Sequence, residues 1–305
     1  MQKDKLKKRK KVSVFDITNI FLLLVLTFIF TYPIYYTVIA SFSDYQAVAT
    51  GKVGLLPVGF QLTAYKAILE NTSIWAGYRN TILYTVGGTF FNILLTIPSA
   101  YVLSKKQLLG RKVVTWFFLI TMYFSGGMVP TYLLYKNIGL VNNPLIMVVA
   151  GGLSVYNLIV SRTYFANSIP ESLYEAGEID GGSEITLFVR IAMPLAKPIV
   201  AVMTLYYAVG HWNSYFTALL YLTQKAFQPL ALVLRRILIM NEAALDSALS
   251  SDLDPALIAN AAARSNLVVT MKYGLVLIAS LPMLILYPFI QRYFVKGVMI
   301  GSVKE

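Results

Sequence analysis

Near the N-terminus, residues 17–43 read ITNIFLLLVLTFIFTYPIYYTVIASFS, which is 27 residues without an Asp, Glu, Lys or Arg. About 20 mostly apolar residues are enough for a helix to cross a bilayer once. Backbone polar groups in lipid must be hydrogen-bonded within their own segment, so a crossing stretch is expected to be helical. This stretch therefore predicts a membrane-spanning helix.

Five further uncharged stretches follow along the chain. They contain 25, 23, 25, 27 and 19 residues and cover Asn80–Ser104, Val113–Tyr135, Asn137–Ser161, Pro198–Gln224 and Tyr273–Gln291. A buried soluble core could explain one such window, but six in one chain favour a membrane. With flanking turn residues considered, the predicted spans are 17–42, 80–104, 112–130, 144–164, 198–222 and 273–291. We expect an all-α integral membrane protein with six transmembrane helices.

The amino-acid composition also favours a membrane protein. The chain has 305 residues, of which 57% are hydrophobic and 13% charged, whereas soluble domains carry about 25% charged residues. This deficit excludes an ordinary cytosolic enzyme and a disordered chain. There is no cysteine and one histidine, His211, so neither a thiolate nor a histidine-ligated metal site is expected.

The positive charges indicate the orientation in the membrane. Of the 26 Lys and Arg residues, 17 fall on the side that holds both termini, seven of them within residues 1–11. Such an excess marks the cytoplasmic side, so both termini are predicted to be cytoplasmic. The predicted organisation is a basic N-terminus at 1–16, a six-span domain at 17–296 and a cytoplasmic tail at 297–305. The net charge of +12 is then a topology signal, and no nucleic-acid partner is expected.

The predicted spans lack the groups that would drive transport or catalysis on their own. Coupled carriers and pumps place ionisable side chains inside their spans, but the six windows contain no Asp, Glu, Lys or Arg. The chain also has no P-loop, no G-x-S-x-G elbow and no H-E-x-x-H motif. We therefore predict no catalytic residue and expect energy to come from another chain.

The predicted cytoplasmic loop at 165–197 carries a distinct pattern. It holds five of the chain's fourteen carboxylates, Glu171, Glu175, Glu178, Asp180 and Glu184. Pro170 suits the start of a helix, and Leu173, Ala176 and Ile179 would form one apolar face. Two glycines, Gly181 and Gly182, would then end the helix with positive φ. The pattern predicts a short helix along the membrane, although a plain connector is the alternative.

This loop resembles a motif of binding-protein-dependent ABC importer permeases. The motif reads E-A-A, three residues, G, nine residues and I-x-L-P, and its positions are filled here by Glu175, Ala176, Gly181, Ile191 and Pro194. Gly177 and Met193 replace the motif's second alanine and its leucine, and Gly177 is expected to make the helix more flexible. Further segments are similar to the carbohydrate (maltose-type) branch and its LplC-type oligo- and polysaccharide permeases, namely 126–132, 211–214, 228–230 and 293–301.

The resemblance implies a type I ABC importer permease in a bacterial cytoplasmic membrane. Its implied partners are a second homologous permease, two ATPase subunits that bind ATP and magnesium, an extracytoplasmic solute-binding lipoprotein and a carbohydrate. The helix within 170–182 would couple to the ATPase through Glu175, Ala176, Gly177, Asp180, Gly181 and Gly182. The same architecture importing a polyamine or an anion is an alternative, and a multispan membrane enzyme is a weaker one.

Aromatic residues suggest where a sugar would bind, because pyranose rings stack on aromatic faces. Tyr207, His211 and Tyr215 recur every four residues and would form one helical stripe. The full set of substrate-path candidates is Tyr207, His211, Trp212, Asn213, Tyr215, Tyr156 and Asn157. Aromatic belts at the membrane interface give the same composition. The outer loop at 225–272 is a candidate docking surface for the binding protein.

Overall fold

The computed structural model describes residues 13–250, 266, 268–288 and 291. The basic segment at 1–12, residues 251–265 of the outer loop and the predicted tail at 297–305 lie outside the described residues. Across the described ranges all regular structure is helical and no strand occurs. The all-α prediction is therefore confirmed.

The described helices range from three to 33 residues in length. In chain order they are α1 Val14–Ser41, α2 Tyr45–Ala49, α3 Thr63–Glu70, α4 Thr72–Ser104, α5 Arg111–Tyr123, α6 Met128–Asn137, α7 Ile146–Val149, α8 Val155–Ser168, α9 Glu171–Ile179, α10 Glu184–Leu187, α11 Met193–Leu195, α12 Lys197–Trp212, α13 Tyr215–Tyr221, α14 Leu230–Ser250 and α15 Val268–Pro288. A π-helical turn, Phe188–Ala192, joins α10 to α11, and a 3₁₀ turn, Lys225–Phe227, precedes α14.

Three of the described helices, α1, α4 and α15, are long and apolar enough to cross a membrane. Two bent pairs raise the number to five if each pair is one span. The α5–α6 pair bends by 112° and the helix from Glu184 to Leu195 meets α12 at 79°. The number of described candidate spans is thus three to five, compared with the six predicted.

The predicted fourth span, 144–164, is not one continuous helix. It consists of α7 and α8, and the break between them contains Gly151 at φ +68°. The Ser154 side chain then caps α8 by accepting from the Asn157 N–H. The break arises because a left-handed glycine ends the first helix and a serine cap starts the next. An uncharged window does not reveal such a break.

The chain divides into two compact units. The first contains residues 1–68 and 241–278. Its core joins the end of α1 to α2, where Ile39, Ala40, Ala47, Val48 and Val53 are buried, and Tyr36 and Tyr273 pack on this cluster. The Ser41 hydroxyl and the Tyr65 hydroxyl lie 2.7 Å apart and tie α3 to α1.

The second unit contains residues 69–240 and 279–305. Its central helix is α4, which packs against α12, α8 and α7. The largest buried cluster joins the C-terminal half of α4 to α8, α9 and α12 and includes Ile97, Tyr101, Leu158, Phe165, Tyr174, Leu187 and Met203. Both candidate sites described below are built on α4.

Candidate functional site

The predicted coupling helix is present as α9, and a glycine turn ends it. The Gly182 N–H donates to the Gly177 carbonyl at 2.9 Å, and the Gly181 N–H donates to the Glu178 carbonyl at 3.0 Å. Gly181 has φ +78°. These paired bonds around a left-handed glycine form a Schellman cap. The cap fixes where α9 stops, as the glycine pair predicted.

The side of α9 that packs on this chain carries Tyr174 and not the apolar face of Leu173, Ala176 and Ile179. Tyr174 is buried at 8% exposure, while Leu173 is 42% and Ile179 86% exposed. Ala176 is exposed as well. The large Tyr174 ring removes more apolar surface from water than the smaller residues would, so it decides which side faces inward. The apolar face of Leu173, Ala176 and Ile179 is left uncovered by the described chain.

Gly177 allows α9 to pack closely against the helix that follows it. A Cβ atom at this position would lie 2.5 Å from Leu187 Cδ2 and 2.9 Å from Ile191 Cδ1. Leu187 is itself only 1% exposed, so it has little room to move. The missing side chain of Gly177 is therefore what lets α9 approach the following helix.

A partly buried lysine, Lys105, joins the end of α4 to α9. The Lys105 Nζ lies 3.8 Å from the centre of the Tyr174 ring, 5.0 Å from the centre of the Tyr101 ring and 3.8 Å from Glu184 Oε2. The Tyr101 hydroxyl donates to the same carboxylate oxygen at 3.1 Å. We call Lys105, Tyr101, Tyr174 and Glu184 the lysine clamp. Burial, and to a lesser extent Glu184, raises the pKa of Tyr174 to about 12, so its ring stays neutral and available to the cation.

A second contact lies at the solvent edge of the same region. The Lys106 Nζ donates to Glu171 Oε2 at 2.7 Å, and this hydrogen bond lowers the pKa of the Glu171 carboxyl. Both side chains are largely exposed, and exposed ion pairs contribute little to stability because solvent screens them. Arg162 adds a bond from its Nε to the Leu103 carbonyl at 3.0 Å. Together these contacts connect the α4–α5 loop with α8 and α9.

Polar side chains join α4 to α12 deeper in the unit. The hydroxyls of Thr96 and Tyr207 lie 2.7 Å apart, and the Tyr207 oxygen also accepts from the Ser154 N–H at 3.3 Å. His211 Nε2 lies 2.6 Å from Asn92 Oδ1. We call Asn92, Thr96, Tyr207 and His211 the polar seam. Because Asn92 Oδ1 can only accept, this contact places the proton on His211 Nε2.

Two further contacts hold the seam in place. The Asn92 amide Nδ2 donates to the Gly152 carbonyl at 2.7 Å. A Cβ atom on Gly88 would collide with the His211 ring, so only glycine admits the imidazole there. The seam thus anchors α12 and the α7–α8 break on α4.

The remaining path candidates fall into two groups. Trp212 is buried, donates its Nε1–H to the Ala279 carbonyl at 3.0 Å and meets Tyr78 edge to face, and Asn157 is also buried. Asn213 is exposed and bonds the Val209 carbonyl of its own helix. Tyr156 and Tyr215 are 59% and 39% exposed. The predicted stripe is interrupted, because α12 ends at Trp212 and Tyr215 begins α13.

The sequence analysis missed several polar residues that join the helices, because it searched the spans only for charged side chains. Asn92 and Thr96 belong to the seam, and Asn80 donates to the Ala226 and Gln228 carbonyls at 2.7 and 3.1 Å. Neutral amides and hydroxyls within an apolar helix are a recognisable signal of helix association. Within the part of the chain that the structure describes, no group of three or more His, Asp and Glu could hold a metal ion.

Comparison with known proteins decides the family. Residues 72–300 match the family described as binding-protein-dependent transport system inner membrane component. The chain belongs to this family. The match confirms the resemblance carried by the loop motif, and it makes the chain a transporter subunit and not an enzyme.

Two relatives from Bacillus subtilis (strain 168) align with nearly the whole permease. The polygalacturonan/rhamnogalacturonan transport system permease protein YtcP is 34% identical over 96% of this chain and 99% of its own length. Protein LplC is 36% identical over 97% of this chain and 96% of its own length. Both alignments are long enough to include most of α1–α3, which precede the family match.

A solved structure shares the fold of the permease. It is a chain of a bacterial ABC transporter involved in the import of the acidic polysaccharide alginate, with a TM-score of 0.80 and 32% sequence identity. The alignment covers 92% of this permease and 96% of that chain. The permease therefore has the type I ABC importer permease fold.

Proposed function

We propose that the permease is the membrane subunit of an ATP-driven importer for carbohydrates, with an oligo- or polysaccharide as cargo. Its relatives include a polygalacturonan transport permease and a chain of an alginate importer, which supports this cargo class. A second homologous permease completes the translocation path, two ATPase subunits bind ATP and magnesium, and an extracytoplasmic solute-binding lipoprotein delivers the cargo. The location is a bacterial cytoplasmic membrane.

The exposed apolar face of α9 is the observation that carries this proposal. Ile179 is 86% and Leu173 42% exposed, although the opposite side of the helix is anchored by Tyr174. Apolar side chains grouped on one exposed face are typical of an interaction site. We assign this face to a cleft of the ATPase, with Glu175, Ala176 and Asp180 at the contact and Gly177, Gly181 and Gly182 fixing the helix.

The proposed topology has six spans with both ends in the cytoplasm and the 165–197 loop on the same side. All residues from 13 to 35 in α1 are exposed, which suits contact with lipid or a partner helix. The proposed fourth span combines α7 and α8, because an interrupted helix is tolerated at membrane depth where protein surrounds it. Residues 1–16, 17–296 and 297–305 keep their proposed roles as basic N-terminus, permease domain and cytoplasmic tail.

The path candidates divide by exposure. We assign contact with the cargo to Tyr156, Asn213 and Tyr215, which are exposed in this chain. We assign an indirect role, behind the cargo-contacting residues, to Tyr207, His211, Trp212 and Asn157. Hydrogen bonds support this role for Tyr207, His211 and Trp212. These residues would set the position of the path-lining helix α12.

The test is cargo-stimulated ATP hydrolysis by the purified complex in nanodiscs with loaded binding protein. Glu175→Lys reverses a charge at the proposed contact, and Gly181→Val strains the positive-φ cap of α9. We expect both variants to lose stimulated hydrolysis while the two permeases still co-purify. Gly139→Val is the matched control, because Gly139 also has φ +74° and its Cβ would meet no atom within 4 Å. Normal stimulation in both variants would make the loop a mere connector and reject the proposal.

A further inference from the structure

We propose that a cavity between α13 and α14 binds the carboxylates of an anionic sugar chain through Arg235 and Arg236. This inference rests on the proposed function and narrows its cargo to acidic oligosaccharides, such as those built from uronic acids. The cavity lies in the segment that the proposed topology places on the outer side. Cargo released by the binding protein would therefore reach this cavity.

The cavity has the size and wall chemistry of a ligand site. Its volume is about 540 Å³, within the range of about 300–1,000 Å³ common for ligand pockets. Polar groups of Thr223, Gln228, Arg235 and Arg236 share it with apolar side chains such as Leu219 and Ile239. No Asp or Glu lies among the described residues that line it. The site is therefore cationic.

Arg236 is held in place by its neighbours. Its Nη1 donates to Gln228 Oε1 at 2.6 Å, and the Gln228 carbonyl accepts from the amide of Asn80, which is buried in α4. A guanidinium has five N–H donors in a rigid fork, and the bond to Gln228 uses one of them. The arrangement orients the guanidinium without neutralising its charge.

Arg235 is positioned by an aromatic ring. Its guanidinium carbon lies 5.4 Å from the centre of the Tyr215 ring. A cation over a ring face is attracted by the ring quadrupole, and stacking leaves the N–H donors at the guanidinium edge available. Among the side chains that the structure describes, neither arginine forms an ion pair with a carboxylate.

The ligand class follows from this combination. Two adjacent cations without a carboxylate partner among the described side chains favour an anion, and guanidinium forks match carboxylates bidentately. Tyr215, beside Arg235, is itself 39% exposed, which leaves apolar area near the cavity for the C–H face of a pyranose ring. A neutral sugar would stack on the Tyr215 ring alone and would give neither arginine a carboxylate partner.

The experiment measures uptake by the reconstituted complex with its binding protein. The probes are trigalacturonate, which is anionic, and maltotriose, which is neutral. The variants are Arg235→Gln, Arg236→Gln, their combination and the corresponding lysine substitutions. Arg79→Gln is the matched control, because Arg79 is an exposed arginine of α4 that does not line the cavity. A separate measurement gives the affinity of each complex for the loaded binding protein.

We expect wild-type uptake of trigalacturonate to fall about ten- to hundredfold in the double glutamine variant, as loss of a charge-assisted hydrogen bond predicts. The lysine variants should retain part of the rate, and binding-protein affinity and the Arg79→Gln control should match wild type. Undiminished uptake in the double variant would overturn the inference. So would a lowered binding-protein affinity that accounts for the loss, or a wild-type complex that imports only maltotriose. A wild-type complex that imports neither probe with ATP present would count against the proposed function itself.

Discussion

At the residue scale, Gly177 shows how one missing side chain shapes the coupling region. An alanine there would gain about 1 kcal/mol of helix propensity over glycine. Its Cβ would also press on Leu187 Cδ2 at 2.5 Å, and overpacking a filled core costs about 1–3 kcal/mol. The steric cost therefore outweighs the gain, which explains a glycine at a position where the family motif has alanine.

The substitution Gly177→Ala tests this balance. We expect a loss of up to about 2 kcal/mol in stability, because overpacking exceeds the propensity gain. In a Leu187→Val background the closer of the two atoms that would be struck is absent, while Ile191 Cδ1 at 2.9 Å remains, so Gly177→Ala should there cost less stability than in wild type. The measurement is a double-mutant cycle on thermal unfolding of the detergent-solubilised permease. Additive effects of the two substitutions would show that α9 does not pack against Leu187 in this way.

At the element scale, the α4–α5 loop holds the coupling helix through two neighbouring lysines of unequal importance. Lys105 is largely buried between Tyr174 and Glu184, whereas Lys106 pairs with Glu171 at the surface. A desolvated cation–π contact is worth about 2 kcal/mol, and an exposed ion pair about 0–1 kcal/mol. Movement of α9 should therefore reach α4 mainly through Lys105.

Methionine substitutions separate the two lysines. Lys105→Met should reduce cargo-stimulated ATP hydrolysis by tenfold or more, because it removes the contact that joins α9 to α4 and leaves Glu184 without its cation. Lys106→Met removes the same charge from the adjacent position and should stay within about twofold of wild type. Stimulated hydrolysis is measured at saturating binding protein. Equal effects of the two variants would contradict a special role for Lys105.

The same elements show what the sequence can predict. The α5–α6 break follows from Ser125, Gly126 and Gly127, and the end of α9 from Gly181, because local residues determine both. The α7–α8 break was missed because the search for long uncharged stretches does not register a glycine pair, here Gly151 and Gly152, inside such a stretch. The polar seam joins Thr96 to Tyr207 across 111 residues of sequence, and side-chain partners at that separation leave no periodic signal. The coupling motif was recognisable because all its parts lie within 20 residues.

At the scale of the whole molecule, the proposed function makes this chain a transporter subunit that responds to a partner ATPase. The six predicted apolar stretches contain no Asp, Glu, Lys or Arg. In the described part of the chain, the lysine clamp and the exposed face of α9 both lie at one end of α4. In the proposed importer, energy would come from ATP on the cytoplasmic side and cargo from a binding protein on the other side.

Uptake of labelled oligosaccharide into proteoliposomes tests this account most directly. The vesicles contain the complete complex, with ATP enclosed and cargo-loaded binding protein outside, and a non-hydrolysable ATP analogue serves as the control. We predict accumulation of the sugar only with hydrolysable ATP inside and binding protein outside, and none when this permease is left out of the reconstitution. Accumulation without ATP hydrolysis, or undiminished accumulation without this permease, would contradict the account.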